Sequence, residues 1–406
     1  MATSIPFTPK SLATPEEALA AAAQVAIAVE EDSVERDRHQ TPPLQQLELI
    51  AASGLLAIAV PAAQGGAGMS ATTVTEVFRR IARADPSVAQ LLLAHFVLQD
   101  TLAELPVDHP VASRMFADIL AGAQLGNATA ERGTKHGWQH RTRATPDPAG
   151  GWRINGRKYY ATGALGARWI AVAALIEEGH PVVGFVDPES EGLTMALEDW
   201  SSFGQRITFS GTVLLDGVHV PDELMLDRGP LDPHPGPTLH GAYDQVIHAA
   251  IDVGIARAAL EDGAKFVRKR SRPWREAEQE AAREEPHVIR RFGELKVRLD
   301  ALEAMLERGA RAIDEAREAP ALTDENTAAA SLAVAGVKAL SQELAVEIAS
   351  GVLELAGTSA TDQRHGLDRH WRNVRVHTLH DPARWKYVHI GNEFLNGVRP
   401  PRSELL

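Results

Sequence analysis

The chain has 406 residues, 44% hydrophobic and 23% charged, with 32 Gly and 24 Pro. That length suits roughly two to three domains or one large composite unit, and the composition excludes disordered, collagenous and low-complexity classes. There is no cysteine, which excludes disulfides, thiol catalysis and thiolate-held zinc or iron–sulfur centres. Lys+Arg of 41 against Asp+Glu of 54 leaves −13, and this argues against a general nucleic-acid or anionic-membrane surface.

From about Thr14 to Leu120 the spacing of Ala, Leu, Glu and Arg predicts helices. Thr14-Pro15-Glu16-Glu17 has the form of a helix start, with a hydroxyl cap, a first-turn proline and acids near the positive dipole end. The Ala run that follows has acids before it instead of a basic n-region, so it is not expected to be a leader. No apolar stretch approaches ~18 residues, so no membrane span is expected and the cytoplasm is the default compartment. Gln64-Gly65-Gly66-Ala67-Gly68 breaks two of the helices. It lacks the βαβ setting of a dinucleotide fingerprint.

Between about Ala123 and Leu226 short β-type runs replace the helices. Asn155-Gly156, flanked by Trp152-Arg153-Ile154 and Arg157-Lys158-Tyr159-Tyr160, predicts a hairpin turn. Trp169–Ile176, Pro181–Val186, Leu193–Leu197 and Thr212–Val220 follow at the spacing of a small sandwich or barrel. From about His240 the chain is helical again, and Asp324–Leu355 reads as one long helix stopping at Gly357. The expected fold class is α+β, mostly α. It divides into a helical domain over residues 1–122, a β-domain over 123–232 and a helical bundle over 233–406.

This order resembles the acyl-CoA dehydrogenase superfamily, with a C-terminal four-helix bundle. The resembling motifs are Gly54–Pro61 followed by Gly65-Gly66-Ala67-Gly68-Met69-Ser70, Ala82-Arg83-Ala84-Asp85-Pro86-Ser87-Val88, and Trp152–Gly163. The segments that carry chemistry depart from true dehydrogenases. Asp381 stands where their catalytic Glu would be, and His380 stands where they have Tyr. His377-Thr378-Leu379-His380-Asp381-Pro382, Gly204-Gln205-Arg206-Ile207-Thr208-Phe209-Ser210-Gly211 and Arg270-Ser271-Arg272-Pro273-Trp274 resemble the flavin-dependent monooxygenases of this fold. Above all they resemble the dibenzothiophene monooxygenases and other sulfur-acquisition enzymes that act on sulfones and sulfinates.

The resemblance implies reduced FMN as cofactor, with FAD as the alternative, supplied by a separate NAD(P)H:flavin reductase. It further implies O2 and a small organosulfur substrate, chemistry through a C4a-hydroperoxide, and a homotetramer without nucleic-acid, membrane or metal partners. His380 becomes the acid/base or donor at the flavin, supported by His377; three apart, they would share a helix face. His95 is either a second polar wall of the substrate site or a core histidine, and Phe96 and Phe203 are candidate substrate contacts. Asn127 is a candidate catalytic donor to the peroxide as well as a flavin contact, with a turn-forming Asn as the plain alternative; Thr162, Gly163 and Ser210 are candidate flavin contacts, with Trp200 as a wall. One of Arg270 and Arg272 would bind flavin phosphate across a subunit boundary. The alternatives are an FAD-dependent acyl-CoA dehydrogenase with Asp381 as base, a same-fold monooxygenase of an aromatic or nitrogen substrate, and a non-catalytic scaffold.

Overall fold

Thr14 opens the first helix as its sequence requires. Its hydroxyl accepts from the Glu17 N–H at 3.3 Å, and the Glu17 carboxylate accepts from the Thr14 N–H, so two orphan donors are satisfied reciprocally. The computed structural model describes residues 8–135, 139–227, 236–403 and 406. Helices α1 (Pro15–Glu30), α2 (Ser33–His39), α3 (Leu44–Ser53), α4 (Ala71–Ala84), α5 (Pro86–Ala103) and α6 (Pro110–Leu120) precede the sheet.

Strands β1 (Leu125–Ala128), β2 (Arg143–Pro146), β3 (Trp152–Lys158), β4 (Trp169–Leu175), β5 (Pro181–Val186), β6 (Leu193–Ala196), β7 (Thr212–Val220) and β8 (Met225–Asp227) form one sheet. Their order is β6-β7-β3-β2-β4-β5-β8, with β1 added to β4 in parallel. The sheet curls until β5 meets β7. Among the described residues, no helix crosses between two parallel neighbours in the way a dinucleotide-binding βαβ unit requires.

The hairpin predicted at Asn155-Gly156 does not form. Those residues lie inside β3, where the register to β7 shifts between Ile154 and Gly156. The residues serve tertiary contacts instead. A Cβ on Gly156 would collide with the Thr142 hydroxyl, and the Asn155 side-chain oxygen accepts from the Gly217 N–H at 2.8 Å. The turn joining β2 to β3 is at Asp147–Gly151.

Three long helices follow, α7 (His240–Lys269), α8 (Pro286–Glu318) and α9 (Asp324–Ala356), then α10 (Asp368–His377) and α11 (Ala383–Asn396). By length and composition α9 is apolar enough to cross a bilayer, which the sequence count did not anticipate. In this fold it packs against α7, α8, α10 and α11 and carries the fully buried Lys338. One hydrophobic core joins the N-terminal helices to α7, α8 and α9, and a second fills the curled sheet beneath α6. Architecture and order match the expected fold class.

Candidate active site

Along the mostly apolar α7, Asp244, His248 and Asp252 recur every fourth residue, so one helix face carries a polar stripe. Asp252 has no solvent exposure. Its carboxylate accepts from Lys338 Nζ at 2.8 Å, Ser341 Oγ at 2.8 Å and His377 Nδ1 at 2.5 Å. Burial alone would raise this carboxyl, but the Lys338 ammonium and His377 outweigh it and hold it below its ordinary value.

His377 ends α10. Its Nε2 lies 3.1 Å from His248 Nδ1 and 2.9 Å from the Gln90 side chain on α5. The His248 ring is fully buried and stacks on His380, with centroids 4.0 Å apart and planes 30° apart. His380 lies beyond the helix, so the two predicted histidines do not share a helix face. The chain must turn before Asp381-Pro382, since a residue preceding proline is pushed out of helical geometry. The pair meets through His248, which touches both rings.

The His380 side chain keeps 44% exposure, and its Nδ1 lies 3.2 Å from Asp381 Oδ1. Asp381 is buried and paired with Lys386 at 2.8 Å, and Lys386 also donates to the Gln245 side-chain Oε1 at 2.9 Å. Burial pushes the Asp381 carboxyl up, but His380, Lys338 and Lys386 together hold it well below the ordinary carboxylate range.

The β-domain supplies the opposite wall. A Cβ on Gly126 would sit 2.5 Å from the Gly163 carbonyl oxygen, and one on Gly163, with φ +80°, would sit 2.8 Å from the Leu91 carbonyl oxygen. These two glycines let β1, the 161–164 turn and α5 touch. Asn127 and Thr162 therefore flank one seam, with the Asn127 N–H donating to the Thr162 carbonyl at 3.1 Å. Thr162 and Ser210 share a hydrogen bond at 2.9 Å, and Ser210 continues to Thr208 at 3.0 Å. Gln205 donates its N–H to Asn373 of α10 at 2.7 Å, which ties the seam to the histidine-bearing helix. Trp200 packs against Tyr159 and Tyr160, whereas Phe203 stacks on Trp371. Both line a cleft of about 840 Å³ together with Arg206, Arg372 and Asp37.

Several polar atoms along this seam have no partner. Asn127 Oδ1 and both amide atoms of Gln205 are buried without a hydrogen bond, a costly state in a finished protein interior. A flavin ring edge alternates donors and acceptors, the complement that amide groups of this kind lack. The residues present fit a flavin.

Two expected contacts lie elsewhere. His95 is fully buried; its Nε2–H donates to the Leu56 carbonyl at 2.8 Å and its Nδ1 accepts from the Leu125 N–H at 3.0 Å. Burial lowers it to about 4, so it is a neutral core histidine that fastens α5 to β1. Phe96 is likewise core, packed edge-on against Phe78 at 5.2 Å. Arg270 and Arg272 are exposed just beyond α7. At 1.5 Å per residue, Arg270 lies ~27 Å along the helix from Asp252, so neither arginine stands beside the histidine cluster of its own chain.

Sequence reasoning missed Gln90, His248, Asp252, Lys338 and Lys386. The readable signal for two of them was the four-residue polar stripe on α7.

Residues 15–105 match the acyl-CoA dehydrogenase N-terminal domain and residues 246–385 the acyl-CoA dehydrogenase C-terminal domain. A dibenzothiophene monooxygenase of Rhodococcus erythropolis is 33% identical over 387 residues, covering 91% of this chain and 90% of that protein. A probable FMNH2-dependent monooxygenase of Pseudomonas putida, SfnC, is 31% identical over 396 residues, covering 96% and 97%. The FMN-bound crystal structure of TdsC from Paenibacillus sp. A11-2 superposes with a TM-score of 0.89 at 32% identity, covering 96% of this chain and all of that one.

Proposed function

Because the chain belongs to the dibenzothiophene monooxygenase family, on the acyl-CoA dehydrogenase fold, we propose that it is an FMN-dependent monooxygenase of an organosulfur compound. The substrate would be a sulfinate, a sulfone or a thiophene-type sulfur. When bound, reduced FMN supplies the two electrons that split O2, with one oxygen atom going to sulfur and the other leaving as water. Its orphaned partners, Asn127 and Gln205, would hold the ring edge, with Thr162 and Ser210 beside it and Trp200 at the wall. His380, the exposed imidazole of the cluster, would hold and move the proton that the departing water requires. Gln90 and the buried histidines keep that region polar, while α5 and α7 exclude bulk water from behind it.

The observation that carries this reading is the state of Asp381. A carboxylate clamped at 2.8 Å by Lys386 and held well below its ordinary range is a poor base for a carbon acid. That disfavours an acyl-CoA dehydrogenase using Asp381, while the FMN-bound TdsC and the FMNH2-dependent SfnC support FMN over FAD. The lack of a βαβ unit among the described residues supports a separate NAD(P)H:flavin reductase.

The same reading makes the protein a homotetramer, in which Arg270 or Arg272 reaches a neighbouring protomer's flavin phosphate. The ~27 Å separation along α7 supports contact in trans. So do Phe394 and Leu395 of α11, 84% and 77% exposed. The test is oxygen-dependent product analysis with methanesulfinate, dimethyl sulfone and dibenzothiophene. Purified protein with NADH, FMN and O2 should give no product until a flavin reductase is added. Acyl-CoA-dependent bleaching of a tightly bound FAD would overturn the reading.

A further inference from the structure

Three imidazoles meet where α7, α10 and the α10–α11 turn converge, and hydrogen-bond accounting assigns their protons. The Asp252 carboxylate can only accept, so His377 Nδ1 carries the hydrogen it donates across 2.5 Å. A neutral His377 is then a bare acceptor at Nε2. His248 Nδ1, 3.1 Å away, must supply the N–H, because two lone pairs cannot face each other there, and the Gln90 amide, placed with Oε1 2.9 Å from the same atom, pairs with it once turned so that its NH2 faces inward. His248 is left with a lone pair at Nε2, an atom without a hydrogen-bond partner and 3.7 Å from Asp244 Oδ1.

The stacked neighbour is in a different situation. Two imidazolium rings with centroids 4.0 Å apart repel strongly, so at most one of His248 and His380 is an imidazolium at a time. His248 is fully buried and faces His377, Lys338 and Lys386, with Asp244 as the acid nearest its free nitrogen. His380 is 44% exposed and has the Asp381 carboxylate at Nδ1.

We propose that Asp252, acting through His377, fixes His248 as a neutral Nδ1–H ring and so makes His380 the member of the stacked pair that takes up and gives up the proton. Asp252, His377 and His248 are positioning residues, and His380 is the catalytic one. Burial, and then the surrounding histidines and lysines, lower His248 well below its ordinary value, in keeping with this assignment. Only the use of the proton rests on the monooxygenase reading, since the tautomers belong to the protein without flavin.

The experiment is a two-bond 1H–15N correlation on the full chain labelled with 15N-histidine, followed between about pH 5.5 and 8. Signals are assigned by their loss in His248→Phe, His377→Gln and His380→Gln. His248 and His377 should both show the neutral Nδ1–H pattern throughout, while His380 titrates in one step. In Asp252→Asn, whose amide accepts or donates equally well, the His248 pattern should average between tautomers. His380 should then titrate in two steps, and the pH profile of product formation should broaden with it. An Nε2–H pattern for His248, or its titration in the wild-type protein, overturns the proposal even if the Asp252→Asn chain does not fold. So does a folded Asp252→Asn variant with both patterns unchanged. Failure of the monooxygenase reading would show separately, as absence of oxygenated product with an unaltered histidine spectrum.

Discussion

Replacing Lys158 with Met tests how the β-domain holds the turn that carries Thr162. The Lys158 side chain has no solvent exposure and donates to Glu131 at 2.9 Å and to the Thr129 carbonyl at 3.1 Å. Glu131 also accepts from the Arg141 N–H, the Thr142 N–H and the Thr142 hydroxyl. Burial would raise the Glu131 carboxyl, but Lys158 and these donors outweigh it and bring it to about 2. A carboxyl at about 2 instead of 4.5 corresponds to roughly 3 kcal/mol of folding free energy. That figure is shared among Lys158 and the other donors, whereas removing Lys158 leaves a buried carboxylate unpaired, a change that costs about 3–5 kcal/mol.

The sign follows from the direction. A depressed carboxyl stabilises above pH 4.5, and that contribution is lost as pH falls toward 2. Burial also lowers the Lys158 ammonium against the pull of Glu131, so part of the gain is offset by desolvation of the lysine. Lys158→Met should lose about 3–5 kcal/mol in urea denaturation at pH 7, and its stability should fall less steeply in acid than that of the wild type. Adding Glu131→Gln should recover more than half of the loss, because no unpaired charge remains buried. A single variant within about 1 kcal/mol of wild type, or a double variant weaker than the single, would refute the reasoning.

His380→Ala should abolish oxygenated product with a reductase supplied, while FMN affinity by fluorescence titration stays within about threefold; undiminished product removes His380 from the mechanism. Gly126→Ala forces a Cβ to 2.5 Å from the Gly163 carbonyl oxygen. It should lower stability by about 1–3 kcal/mol and weaken FMN binding together, as read by thermal melting and titration. Gln205→Ala should move the two readouts apart. Loss of an unsatisfied buried amide leaves the flavin-free melting temperature level or higher, while FMN affinity falls roughly 2–10-fold. Arg270→Ala/Arg272→Ala should weaken FMN binding without changing the melting temperature. Mixing these chains with a site-defective variant should restore part of the activity, as the proposed contact in trans requires.

Local rules were enough where a few adjacent residues decide the outcome. The Thr14 cap, the span of α9 to Gly357 and strands β4 to β7 all follow from capping chemistry and apolar runs. They failed where a distant contact outbids a local preference. Asn155-Gly156 has the composition of a tight turn, yet Thr142 above Gly156 and Gly217 against Asn155 hold it extended inside β3. Strands β1, β2 and β8, three or four residues each, are too short to show a period.

The site divides along the same line. His380, Asn127, Thr162 and Ser210 were named through motifs, but the residue singled out on α5, as either a polar wall or a core histidine, was His95, five residues past Gln90. Five residues advance an α-helix by about 140°, so the two side chains point to different neighbours. Which of them meets α10 depends on how α5 is rolled, and the backbone clips on His95 from Leu56 and Leu125 settle that roll. The Asp252–Lys338–His377 cluster lies beyond any local pattern, since its members come from α7, α9 and α10 and meet only when three helices pack. Asp381 makes the point most sharply. Read alone, a carboxylate at that position keeps the dehydrogenase alternative open. Paired with Lys386 in the fold it has little basicity left, which is why the proposed proton transfer falls to the imidazole beside it.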